Sequence, residues 1–158
     1  MKAAVAVYNS HEKAFNAIRV LDKEHFPMKH ISMMGKAELI DDHLHVISNE
    51  EISIAAPIAI GSIIGLLTGI GVFAIPGLGF LFGAGALIGT IAGFDFGLIG
   101  GIAVAFTKLG FKKDTGIKFE KHIKEGNFLV VVQGNEEEIE RAKKILHTEG
   151  THLELDNH

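Results

Sequence analysis

The sequence has no cysteine and no tryptophan, one tyrosine and three prolines. Without thiols there are no disulfides, no cysteine nucleophile and no Cys-ligated zinc. Charge is also missing, but only locally. Residues 52–107 make 56 positions with a single ionisable side chain, Asp95. The other 102 of the 158 positions carry 18 acids and 15 bases. With 47% hydrophobic residues the chain has enough apolar surface to fold, which excludes a disordered polymer. A net charge of −4 argues against nucleic acid as the main partner. The apolar opening is too short for a secretory signal, because Asn9, Ser10, His11 and Glu12 follow at once. It predicts a buried strand over 3–8, with any membrane insertion internal and both polar flanks cytoplasmic.

The two polar flanks predict similar element orders. In the first, Ser10 caps a helix with Glu12 in its first turn, and Ala14, Ala17, Ile18 and Leu21 recur at helical spacing. Pro27 ends that element. Ile31 and Met33 alternate with polar neighbours in a second strand closed by Gly35. Asp41-Asp42 can turn a small hairpin whose second arm is 44–47. In the second flank, 114–125 predicts a helix stopped by Gly126, and Phe128 to Val132 is a continuous run suited to a central strand. Asn135 and Glu138 form a capping-box signature ahead of Ile139, Ala142, Ile145 and Leu146, with Gly150 as the stop. Leu153 and Leu155 mark a last strand. Each flank alone is too small for a good core. Together they predict a ferredoxin-like α+β domain, with residues 1–50 as its N-terminal half and 108–158 as its C-terminal half. Two mini-domains pairing between subunits would use the same elements.

Between the halves, 52–107 predicts a helical hairpin. A spanning helix needs about 20 apolar residues. Residues 52–74 and 83–107 each supply that length, separated by a turn signal at Pro76, Gly77 and Gly79. The flanks are too small to bury such a pair, so the hairpin is expected to face lipid. Gly61, Gly65 and Gly69 fall at intervals of four, as do Gly85, Gly89, Gly93, Gly97 and Gly101. Such rows lie on one helix face and let backbones approach closely, within one hairpin or between subunits. Lys108, Lys112 and Lys113 after the second segment place its exit on the cytoplasmic side. Full spanning and a re-entrant wedge both fit, since residues 74–84 contain no polar side chain.

Candidate chemistry is sparse. Asp95 is an intramembrane acid, either a contact between helices or a proton or cation site. His43 and His45 would share a strand face and form a weak metal-binding pair, although nine histidines in 158 residues are mostly expected at the surface. No phosphate loop, nucleophile elbow or His-Glu-x-x-His motif is present. The chain is therefore expected to be non-enzymatic and without cofactor.

The order of parts resembles a bacterial family of general stress or low-temperature-induced membrane proteins. The resemblance covers nearly the whole chain. It rests on Ala4-Val5-Ala6-Val7-Tyr8 before a helix, Phe26-Pro27-Met28-Lys29-His30-Ile31-Ser32 ahead of the second strand, Ala74-Ile75-Pro76-Gly77-Leu78-Gly79, and Gly126-Asn127-Phe128-Leu129-Val130-Val131-Val132 before an acidic helix start. It implies a glycine-rich membrane segment and a link to stress. The expected function is a homo-oligomer in the bacterial inner membrane that scaffolds, seals or shapes the bilayer. An Asp95-dependent ion channel and a histidine-based metal or pH sensor are the alternatives.

Overall fold

Among the described residues, seven strands form one antiparallel sheet in the computed structural model, which describes residues 2–40, 43–46, 70–75, 79–85 and 101–157. In chain order the elements are β1 (Lys2–Tyr8), α1 (His11–Lys23), a 3₁₀ turn (Met28–His30), β2 (Ile31–Ile40), β3 (His43–Val46), β4 (Ile70–Ile75), β5 (Gly79–Gly85), α2 (Gly101–Lys108), α3 (Lys113–Lys124), β6 (Phe128–Gly134), α4 (Glu136–Glu149) and β7 (Glu154–Asn157). The class is mixed α+β. The strand order is β4-β5-β2-β6-β1-β7, with β3 paired to β2.

The two ends of the chain share this sheet. β1 lies between β6 and β7, in register from Lys2 opposite Gly134 to Tyr8 opposite Phe128 on one edge and from Ala4 opposite Asn157 on the other. β6 also pairs with β2 through Ile31 opposite Val132 to Met34 opposite Leu129. Alternate side chains of these strands enter two separate cores. Ala4, Ala6, Tyr8, Phe128, Val130 and Val132 face Phe15, Ile18 and Leu21 of α1 and Ile139 and Leu146 of α4. Ala3, Val5, Val7, Leu129 and Val131 face Ile102 and Phe106 of α2 and Phe119 and Ile123 of α3. Burial on both faces is why residues 128–132 are apolar at every position. Each such Val, Leu, Ile or Phe contributes about 1.5–3 kcal/mol when fully buried.

Helix termini follow the sequence signals. Ser10 Oγ accepts from the Lys13 N–H at 3.2 Å. Asn135 Oδ1 accepts from the Glu138 N–H, and Glu138 Oε2 accepts from the Asn135 N–H, both at 2.8 Å. Gly150 closes α4 in the left-handed region at φ 75°. Gly35 departs from its expected role. β2 runs through it to Ile40, held by pairing with β5 and β3, and glycine suits the position because a side chain there would collide with the Phe128 ring. The second arm after the Asp41-Asp42 turn signal is β3, paired from Ala37 opposite Val46 to Ile40 opposite His43. Ala37 also faces Phe80. β3 therefore occupies the same edge of β2 that β6 occupies further back. The last strand begins at Glu154, and Leu153 is left 55% exposed.

The largest difference lies in the apolar insert. Helices were expected over 52–74 and 83–107, yet Ile70–Ile75 and Gly79–Gly85 are strands. They pair antiparallel from Ile70 opposite Ala84 to Ile75 opposite Gly79, and β5 continues onto β2 from Ser32 opposite Gly85 to Ala37 opposite Phe80. The physical reason is local. Ile70, Val72, Phe73 and Ile75 before the Pro76-Gly77 pair in sequence, and Phe80, Leu81 and Phe82 after it, are β-branched, aromatic or large apolar residues around a hairpin signal. Glycine in a helix interior costs about 1 kcal/mol relative to alanine, which weakens a glycine-spaced helix. Only the end of the second predicted helix is helical in the described residues, as the eight-residue α2. Among those residues no helix is long and apolar enough to cross a membrane.

His11 is 1% exposed, set edge-on to Phe15 with ring centroids 5.4 Å apart and tilted against Phe128 at 6.0 Å. Among the described residues neither ring nitrogen has a hydrogen-bond partner. Burial holds its pKa below the usual imidazole value, outweighing the upward pull of Glu12. The folded state therefore keeps a neutral ring, whereas the unfolded chain takes up a proton below about pH 6.5. Stability from this site is full above that pH and declines as pH falls below it. The urea midpoint should drop between pH 7.5 and pH 5.5, and His11→Phe should shrink that drop. An unchanged pH dependence in the variant would refute the assignment.

Candidate functional site

Among the described residues the uncharged run meets the polar flanks where β5 docks on β2 and where α2 leads into α3. At the first, Gly85 ends β5 at φ 107°, a conformation that disfavours any L side chain. An ideal Cβ on Gly85 would lie 2.3 Å from the Ile31 carbonyl oxygen and 2.7 Å from Ser32 Cα. Gly85 was expected in a helix-packing row. It serves instead as a point of backbone contact between adjacent strands.

At the second place, the chain leaves the uncharged segment through α2 and turns at Gly110, whose φ is 99°. Phe106, Phe111 and Phe119 form a three-ring cluster with centroid separations of 4.8, 5.4 and 6.1 Å. This cluster fixes the turn to the lower face of the sheet. The helices cross closely at Gly116, where an ideal Cβ would lie 2.6 Å from the Ala103 carbonyl oxygen. Glu120 Oε2 accepts from the Ala103 N–H at 3.3 Å, which satisfies one amide in the first turn of α2.

A polar clasp on the outer side of α3 holds the last strand. Lys118 Nζ donates to Glu154 Oε1 and to Asp156 Oδ2. His122 Nε2 lies 3.0 Å from Glu154 Oε2, and Asn127 Nδ2 lies 2.9 Å from His122 Nδ1. An amide nitrogen only donates, so in this arrangement His122 accepts on Nδ1 and donates from Nε2 to Glu154. Burial acts against the charge on Lys118, but hydrogen bonds and attraction from Asp156 and Glu154 outweigh it and raise its pKa. Burial likewise opposes the Glu154 carboxylate, and the bonds from Lys118 and His122 prevail and lower its pKa. Beside the clasp, Gly110, Phe111, Lys112, Thr115, Asp156 and Asn157 line an open groove of about 490 Å³. The Asp156 carboxylate in that groove is already engaged by Lys118. The chemistry of the cluster is that of a tether between α3 and β7.

The residues singled out from sequence fall in different places. Gly79 opens β5 opposite Ile75, and Gly101 opens α2. Gly61, Gly65, Gly69, Gly89, Gly93, Gly97, Pro76, Gly77 and Asp95 lie outside the described residues. His43 and His45 sit in β3, opposite Ile40 and Glu38. Among the described residues, no group of three or more His, Asp or Glu side chains could hold a metal ion. Sequence inspection missed the Lys118 clasp, because Glu154, Asp156, His122 and Lys118 meet only after β7 docks on β1. No family model, curated protein or solved structure matches the chain.

Lys118→Ala should destabilise the protein by about 1 kcal/mol at pH 7, as expected for partly exposed pairs. A lowered Glu154 pKa means that this stability is present above the ordinary carboxylate pKa and is lost as pH falls through the folded value. The difference between wild type and variant in urea denaturation should therefore narrow as pH falls below the ordinary glutamate value of about 4.3. A difference that stays constant with pH would rule out the clasp.

Proposed function

We propose that this chain is a non-enzymatic membrane-associated scaffold of the general-stress type, with a ferredoxin-like domain split by a lipid-facing apolar insert. The observation that carries the proposal is the run of 56 residues with one ionisable side chain, which departs from and returns to a single sheet. A segment of that composition has little to gain from water, and Ile102 and Phe106 at its end are already drawn into the core on one face of the β1–β6 pair, while α1 and α4 fill the other. The ferredoxin-like assignment is supported by the order β2-β6-β1-β7, with α1 and α4 on one face. α2 and α3 are then additions that cover the opposite face.

Orientation draws on two facts. β1 and β7 are paired neighbours, so both flanks occupy the same side of any membrane the insert enters. Lys108, Lys112 and Lys113 at the end of the uncharged run favour the cytoplasmic side of a bacterial inner membrane. Self-association is assigned to the insert, with the glycine rows Gly61–Gly69 and Gly89–Gly101 as the contact surfaces.

Full-length protein should float with neutral phosphatidylcholine vesicles and stay with them through alkaline carbonate washing. Replacing Val72, Phe73, Phe80 and Phe82 by serine should shift it towards the unbound fraction, because transfer of such a side chain from water to an apolar environment is worth roughly 1.5–3 kcal/mol. Wild-type protein that stays at the bottom of the gradient would refute membrane association.

A further inference from the structure

We infer that the outward stripe of α3 is a docking surface for an anionic lipid bilayer, with Ile117 seated among the headgroups. The inference rests on the membrane association proposed above and names the lipid that the domain would prefer. Gly116, Phe119 and Ile123 turn inward on this helix. Lys113, Ile117, Lys121 and Lys124 fall at i, i+4, i+8 and i+11 and share the opposite face. Ile117 is 50% exposed and is one of two large exposed apolar side chains among the described residues. The apolar face of α3 is spent on the core, so its contact with a bilayer is one exposed apolar side chain with lysines around it to meet the headgroups.

Charge complementarity selects the occupant. Residues 108–125 carry six lysines against three acids, whereas the rest of the chain carries nine bases against sixteen acids. Three acids lie near the stripe and leave the segment net positive: Asp114, exposed in the first turn beside Lys113, and Glu120 and Glu125. Lys121 reaches Glu125 only at 3.9 Å, with side chains 76% and 50% exposed, so that pair is weak. Lys124 meets Glu120 at 3.2 Å, while Lys113 and Lys112 are exposed at the start of the helix. Lys118 is turned towards Glu154 and Asp156 and adds nothing to this face. Position agrees with charge, because α3 begins six residues after the uncharged run ends at Thr107. The Phe106, Phe111 and Phe119 cluster holds the helix rigidly against the sheet, so the stripe is preformed.

Each lysine near an anionic surface strengthens binding about fivefold. The chain has no native cysteine, so Ile117→Cys can carry one environment-sensitive fluorophore, with Lys144→Cys on α4 as the control. Full-length labelled protein is titrated with vesicles of phosphatidylcholine alone and of phosphatidylcholine with phosphatidylglycerol. The probe at 117 should shift to the blue with the anionic vesicles, the shift should reverse in high salt, and the control should not move. Lys113→Glu with Lys121→Glu should raise the lipid needed for half the shift at least tenfold. Flotation with anionic vesicles without any shift at 117 would overturn the docking surface and leave membrane association intact. Equal shifts with both vesicles would overturn the charge preference. A shift that grows with protein concentration in the absence of lipid would identify a second copy as the occupant and also overturn it. Failure to float with either vesicle would remove the membrane proposal itself, and this inference with it.

Discussion

Two-sided burial of β6 is the constraint on which the rest of the fold depends. Val130 and Val132 point to α1 and α4, while Leu129 and Val131 point to α2 and α3. A strand that is apolar on both faces must be covered on both. α1 and α4 alone would leave Val5, Val7, Leu129 and Val131 against water. The exit of the apolar insert supplies the second cover, so the last turns of the uncharged run belong to the domain. α2 is where a segment without charge becomes part of an ordinary core.

Close packing at that cover depends on glycine in a specific way. Gly116 lets α3 approach the Ala103 carbonyl of α2, and Gly35 makes room for the Phe128 ring beneath β2. The same ring touches His11. A side chain at position 35 would therefore displace an aromatic ring that also shields an unpartnered imidazole. Overpacking of this kind costs about 1–3 kcal/mol, and here it would act on both the packing and the neutral state of His11.

The polar flanks were readable because their signals are local. Ser10, the Asn135–Glu138 pair, Gly126 and Gly150 act within one helical turn, and each appears in the structure where its residue type placed it. The run at 128–132 gave the central strand, since few other elements need five consecutive apolar residues of that kind. Residues 70–75 and 79–85 of the insert are strands where a helix was expected, because two periods compete there. Glycine at intervals of four points to a helix, but Gly83 and Gly85 also stand two apart and fall on one side of a strand. Sequence length favoured the helix. Pairing with β2, which length cannot reveal, decides for the strand. The clasp around Lys118 was hidden for a related reason. Its members are separated by up to 38 residues and meet only through strand order.

Strand order also explains how the domain tolerates an insert of this size. β1 must wait for β6, with Tyr8 and Phe128 meeting from 120 positions apart. The entropy of closing such a loop grows only logarithmically, about 0.6 kcal/mol for each doubling of length. A single additional buried Val or Leu offsets that increase. Lengthening the connection is therefore thermodynamically cheap, whereas moving its ends is not. β5 must return beside β2, and α2 must reach the lower face of β1 and β6, whatever the intervening residues do. The domain fixes where the insert leaves and where it returns. Of the run from 52 to 107 that carries a single ionisable side chain, residues 70–75 and 79–85 are held by that sheet and residues 101–107 by its helical cover.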